Sequence, residues 1–155
     1  VKEWLRRSLE KRLIKDVTHN PFVMSQEFDE ARKHAELAIT MFSEGLDFVS
    51  KGDVVQSSEK LYKAVEEAVK ALAIAKGLDE AREALKKGRW TVSLLDKAAI
   101  RLGDGVRQAW AEAYFLHVNG FHEVRIGIDE VNARVPIIQR LINEVRSELS
   151  IKDGD

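Results

Sequence analysis

The chain has 155 residues, 45% hydrophobic and 33% charged, with two prolines, nine glycines, no cysteine and a net charge of −1. One folded domain with a single core suits that length, and so low a proline and glycine content leaves little room for disordered linkers. The same numbers exclude disulfides, thiol nucleophiles, thiolate metal sites and a global basic field for nucleic acid or anionic lipid.

No apolar run approaches the roughly 20 residues that span a bilayer, and the first residues lack a hydrophobic signal core. The cytoplasm is therefore the expected location, with neither export nor membrane insertion. Abundant charge with scarce Asn and Gln matches the composition of thermophile proteins rich in surface ion pairs.

Residues 1–17 place Val1, Trp4, Leu5, Leu9, Leu13 and Val17 on one face, with six basic and three acidic residues around them. This spacing predicts an amphipathic helix that packs on the domain or on a second subunit, with phosphate or membrane-surface contact as the alternative. Asn20 before Pro21 marks a boundary. From Met24 to Val49 the apolar positions Phe28, Ala31, Ala35, Ala38, Phe42 and Leu46 keep a helical period, and Ser25 is placed to cap the start. Lys51-Gly52-Asp53 follows, with Gly52 suited to a left-handed closing residue and Asp53 to an N-cap. So short a connector predicts an antiparallel hairpin with the next helix, 53–76. In that helix Val55, Ser58, Tyr62, Val65, Val69, Leu72 and Lys76 form the expected core-facing stripe.

Residues 52–77 carry a resemblance. Gly52, Asp53, Ala64, Glu67, Lys70, Ala71, Leu72 and Gly77, the wording EKLYKAVEEAVKALA, and the downstream Trp90 and LHVNGFHE at 116–123 are similar to the archaeal PaREP branch of the HEPN superfamily of helical domains. The similarity covers about residues 30–145. It implies a helical fold, dimerisation and, from the superfamily's name, nucleotide binding. Many members of that superfamily are metal-independent ribonucleases that pair an arginine with a histidine four to six residues on, pooled between two subunits. Here Arg107 and His117 have nine residues between them, which departs from the pattern, while Arg12 and His19 lie outside the matched region.

Downstream, a short surface helix is expected from Asp79 to Gly88, then Trp90 as a core plug, then a helix with Val92, Leu95, Ala99 and Leu102 on its inner side. Residues 105–123 bring Trp110, Tyr114, Phe115, His117, Phe121 and His122 into a short span. That concentration makes Arg107, Trp110, Tyr114, His117, His122 and Glu123 the candidate ligand-binding residues. On an unbroken α-helix a five-residue step separates His117 from His122 by about 140°, so no shared metal is expected unless Gly120 breaks the helix. The zinc-type His-Glu-x-x-His arrangement, a Walker loop, a Rossmann glycine cluster and a nucleophile elbow are all absent. Acidic Asp53, Glu59, Glu66 and Glu67 do not suggest a phosphate cradle. The last helix, 127–149, has a stripe of Ile128, Val131, Val135, Ile138, Ile142, Val145 and Leu149, with a kink expected near Asn132 to Pro136.

The chain thus reads as all-α, an up-and-down bundle of five to six helices around a long antiparallel pair. Residues 1–20 form a basic helix, 21–150 the bundle and 151–155 a frayed tail. The expected role is a dimerising module that binds a nucleotide, RNA or a partner protein, with no catalytic residues, cofactor or metal. An altered Arg/His ribonuclease of toxin type is the alternative.

Overall fold

The computed structural model describes residues 2–5 and 21–152. Most of the predicted N-terminal helix lies outside them, although residues 3–5 are helical. Among the described residues the architecture is a helical bundle without strands. It comprises α1 (Pro21–Ser50), α2 (Val54–Ala75), α3 (Asp79–Lys87), α4 (Val92–Leu102), α5 (Asp104–Leu116), a π-helical turn (His117–His122) and α6 (Ile128–Glu148).

α1 starts at Pro21 rather than after Ser25, so Ser25 lies inside the helix and does not cap it. Proline tolerates the first helical turn, where its missing N–H would be unpaired in any case. The hairpin to α2 forms as its residues dictate. Gly52 takes φ +72°, and the Asp53 carboxylate accepts from Gln56 N at 3.0 Å.

Small side chains bring this pair together: Ala31, Ala35 and Ala38 on α1 and Ala64, Ala68, Ala71 and Ala75 on α2 are all buried. Above that seam Gly45 meets Leu61. α2 is more than one stripe, because it touches every other element. With α1 against one side and α4, α5 and α6 against the other, only Gln56 and Lys63 of its residues are exposed. Twelve of its 22 residues are buried, which makes it the axis of the core rather than a surface helix.

α4 corrects one register. Thr91 caps it by accepting from Leu94 N at 3.1 Å, and Leu94, Leu95, Ala98 and Ala99 face inward while Val92 is exposed. Trp90 is half-buried against the core. On α6 the predicted stripe holds, with Val131, Ile138, Ile142, Val145 and Leu149 all buried. The helix continues through Pro136, which lies on the exposed face, where water can serve the backbone groups that proline leaves unpaired. At its end Ser150 turns at φ +56° and Ile151 N donates to Arg146 O at 2.8 Å, so Ile151 folds back onto the core, while residues 153–155 of the expected frayed tail lie outside the described residues. The chain start docks nearby: Leu5 is buried, and the Lys76 ammonium sits 5.2 Å from the Trp4 ring centroid. No helix among the described residues is long and apolar enough to cross a membrane.

Candidate functional site

α5 does not end where its hydrogen bonding would normally stop. Asn119 Nδ2 donates to Phe115 O at 3.0 Å, supplying by side chain a bond that the α-helical backbone would make, and Glu123 N reaches back five residues to Val118 O at 2.8 Å. The chain therefore widens into a π-turn. The inner side of the turn is Gly120, buried against α2 so closely that a Cβ there would stand 2.0 Å from Ser58 Oγ. Val124, in the left-handed region at φ +49°, reverses the chain towards α6. A β-branched residue in that region is strained, and such strain is held only where surrounding packing imposes it.

A turn closed by i to i+5 bonds brings residues five apart onto one face. His122 Nε2 lies 3.1 Å from His117 Nε2, because the α-helix gives way to the π-turn at Gly120 and the separation of an unbroken helix does not apply. Beneath them, His117 Nδ1 is 2.9 Å from the Glu59 carboxylate of α2. Both members of this contact are largely sheltered from solvent, whereas His122 is exposed. A carboxylate at Nδ1 selects the tautomer with its proton on that nitrogen and leaves the Nε2 lone pair towards His122.

The rings continue the construction. Tyr62 stacks on His117 with centroids 4.1 Å apart and planes 21° apart, and Phe121 lies near-parallel to the same imidazole at 5.9 Å and 11°. Trp110 and Tyr114 pack obliquely on Tyr62 at 5.9 and 6.2 Å. Trp110 is anchored by a 3.1 Å bond from its indole N–H to Asp96. Tyr62 and Trp110 are buried, Phe121 is half-buried and Tyr114 is exposed, so the cluster runs from the core to the surface. Burial, with Glu66, Tyr114 and Glu59 adding to it, pushes the Tyr62 hydroxyl well above its ordinary range and keeps it neutral.

Four of the six sequence candidates, Trp110, Tyr114, His117 and His122, come together here. Two do not. Arg107 is exposed at the far end of α5, ten residues and about 15 Å of helix rise from His117, with its Nε 4.0 Å from Asp104. Glu123 is exposed past the turn and contributes its backbone N–H. Sequence reasoning missed Glu59 and Glu66 as site residues, and read Tyr62 only as core. Their spacing at 59, 62 and 66 on one face of α2 is the available signal, two carboxylates bracketing a tyrosine. It also missed Arg125, whose guanidinium docks on the Asn119 side-chain oxygen at 2.6 Å and brings a cation to the turn.

Burial pushes the Glu66 carboxyl up, helped by Glu67 and Glu59 and opposed by Lys70 and His117. The native state therefore binds this proton more readily than the unfolded chain does. Stability tied to Glu66 is full below its unfolded pKa and is lost as pH rises through the folded value. Glu66→Gln should then raise the melting temperature at about pH 7 and lose that advantage near pH 4, which thermal melts at the two pH values would check.

Residues 33–142 match the model of the archaeal PaREP1/PaREP8 family. The chain belongs to that family. The sequence resemblance to the PaREP branch of the HEPN-like domains is borne out, and the matched stretch contains Glu59, Tyr62, Trp110, Tyr114, His117, Phe121 and His122. This PaREP-family chain is also similar to a crystal structure of a protein from Sulfolobus solfataricus, with 36% identity and a TM-score of 0.67 over 72% of this chain and 95% of that one. A solution structure of the Orf c02003 protein, bearing the same target designation, gives 34% identity and a TM-score of 0.66 over 76% and 95%. Against curated proteins the PaREP-family chain has no match.

Proposed function

We propose that this PaREP-family protein is a homodimerising module that binds a nucleotide or short single-stranded RNA on the aromatic and histidine surface at the end of α5, and holds it without cleaving it. The observation that carries this reading is the near-parallel Tyr62, His117 and Phe121 stack leading outward from the core. Aromatic faces at the edge of such a stack offer a base a platform whatever its identity. The imidazole of His122 and the guanidinium of Arg125 supply donors for phosphate or sugar oxygens beside it. Arg107 stands too far along α5 to serve the same ligand. A cysteine-free chain suits a reducing cytoplasm, where such ligands are abundant.

The test is a melting-temperature series with ATP and with short oligonucleotides. A ligand at 100 times its Kd stabilises by about 2.7 kcal/mol, and His122→Ala or Tyr114→Ala should weaken binding at least tenfold. No shift with any of these probes, or equal shifts in the variants, would overturn the proposal. Light scattering should give twice the 17.6 kDa of one chain.

The line from Glu59 through His117 to His122 favours a second reading, a metal-independent ribonuclease. A histidine held by a carboxylate can relay a proton through its free nitrogen. Incubation with mixed RNA in a chelator separates the two: intact RNA supports binding alone, and cleavage lost in His122→Ala supports the nuclease.

A further inference from the structure

We propose that His117 and His122 hold one divalent transition-metal ion between their Nε2 atoms, a site that does not depend on nucleotide binding. Two nitrogens each about 2.0–2.1 Å from one ion lie roughly 2.9–3.4 Å apart for bond angles from square to tetrahedral. The observed separation is 3.1 Å. That distance also suits a hydrogen bond, and the ring placement bears on which it is. A straight N–H···N bond of this length would set two imidazole centroids roughly 5.4 Å apart, whereas two imidazoles on one ion with their nitrogens at this separation, a bond angle of about 98°, bring them to roughly 4.8 Å. The centroids are 4.4 Å apart, with the planes at 79°. The rings lean together instead of meeting head-on.

The support beneath the pair has the form that metal-bound histidines use. Glu59 accepts a hydrogen bond from His117 Nδ1–H at 2.9 Å, which fixes the tautomer and orients the ring. Tyr62 stacked against it and Phe121 near-parallel to it hold that ring in place. The π-turn then delivers His122 from the solvent side, so the pair is preorganised by the backbone rather than assembled by the ion. Among the described residues no set of three histidines or carboxylates surrounds one point, so water or an external ligand completes the coordination. An ion with two imidazoles and open positions has the character of a reactive or ligand-binding site, not of a structural one. Neutral imidazole ligands favour zinc, copper or nickel over magnesium or calcium.

Calorimetric titration of the full chain with zinc chloride, without nucleotide, tests this directly. The expected result is one ion per chain with micromolar affinity, at least tenfold weaker in His122→Ala. Because His122 is exposed, that variant should fold normally. Glu59→Gln should weaken binding about 10–100-fold, as loss of an orienting carboxylate does. His34→Ala, which removes a histidine of α1 packed between Glu30 and Glu67, eight residues along α2 from Glu59, should leave the affinity unchanged. With copper chloride, electron paramagnetic resonance should report two equatorial nitrogens, falling to one in His122→Ala. Affinity no better than millimolar, zinc binding unchanged in His122→Ala, or a copper signal without paired nitrogens would overturn the site. Zinc binding in a protein that ignores ATP and oligonucleotides would leave this proposal standing and sink only the nucleotide reading.

Discussion

Gly120→Ala should cost about 3 kcal/mol, lowering the melting temperature by roughly 6–12 °C for a domain of this size. The added methyl would stand 2.0 Å from Ser58 Oγ and 2.6 Å from Ser58 Cβ. The hydroxyl could swing away about χ1, but Cβ is fixed to the backbone. Ser58 sits fully buried on α2, the helix that contacts every other element, so it has no direction in which to yield. The π-turn must then lift away from α2. Lifting it separates His117 from Glu59 and from Tyr62, so the variant should also lose whatever the histidine pair binds. A second substitution isolates the cause. Ser58→Gly removes both clashing atoms at a helix-propensity cost of about 1 kcal/mol, so the double variant should be more stable than Gly120→Ala alone. Chemical denaturation of the four proteins measures that coupling. A single variant within about 0.5 kcal/mol of the parent would mean that the turn does not depend on this close approach.

That contact also shows where the sequence stops being informative. Local chemistry was legible: Gly52 and Asp53 close and cap the hairpin, Gly88 takes the left-handed conformation at φ +75°, and α6 buries its predicted stripe through Pro136. Each depends on neighbours within a turn or two. Errors arose where the pattern was compatible with two answers. Ser25 had cap chemistry, but Pro21 could already begin the helix. Val92 and Leu94 are both apolar, and only packing onto α2 decided which faced inward. The α2 stripe holds for Ser58, Tyr62, Val65, Val69 and Leu72 but is incomplete, because alanines such as Ala64, Ala68, Ala71 and Ala75 can sit equally well in a close helix contact or on a surface.

The site was legible by composition and not by geometry. Clustered aromatic and histidine residues point to the end of α5, where Trp110, Tyr114, His117 and His122 pack together, but the angle between His117 and His122 on a regular helix says nothing of a turn that widens at Gly120. The π-turn that joins them is caused by an Asn119 side chain on a backbone carbonyl and by a serine 62 positions away from Gly120. Glu59 lies 58 residues from His117, a separation over which no periodicity can signal a partner. Arg107 is suggested only by analogy with a spacing the chain does not keep. Arg125 carries no sequence signal because its role depends on the backbone doubling back to Asn119.

Tyr62→Ala should destabilise the protein by about 3–5 kcal/mol, the range for truncating a buried aromatic side chain. Tyr62 is the ring on which Trp110, Tyr114 and His117 all pack, so its loss leaves a cavity between α2 and α5. Large destabilisation alone would say only that the residue is buried. Two milder variants separate packing from stacking. Tyr62→Phe keeps the ring and should stay within about 1 kcal/mol of the parent. Tyr62→Leu keeps apolar bulk but removes the aromatic face, and should fall about 0.5–1.5 kcal/mol below Tyr62→Phe. The imidazole resonances of His117 give an independent readout, since a ring 4.1 Å away imposes a strong ring-current shift. That shift should persist in Tyr62→Phe and vanish in Tyr62→Leu. Equal stability and equal resonances in those two variants would show that bulk alone positions His117. The ligand platform would then have to be sought in Phe121 and Tyr114, outside the core, where substitutions change binding with little effect on stability.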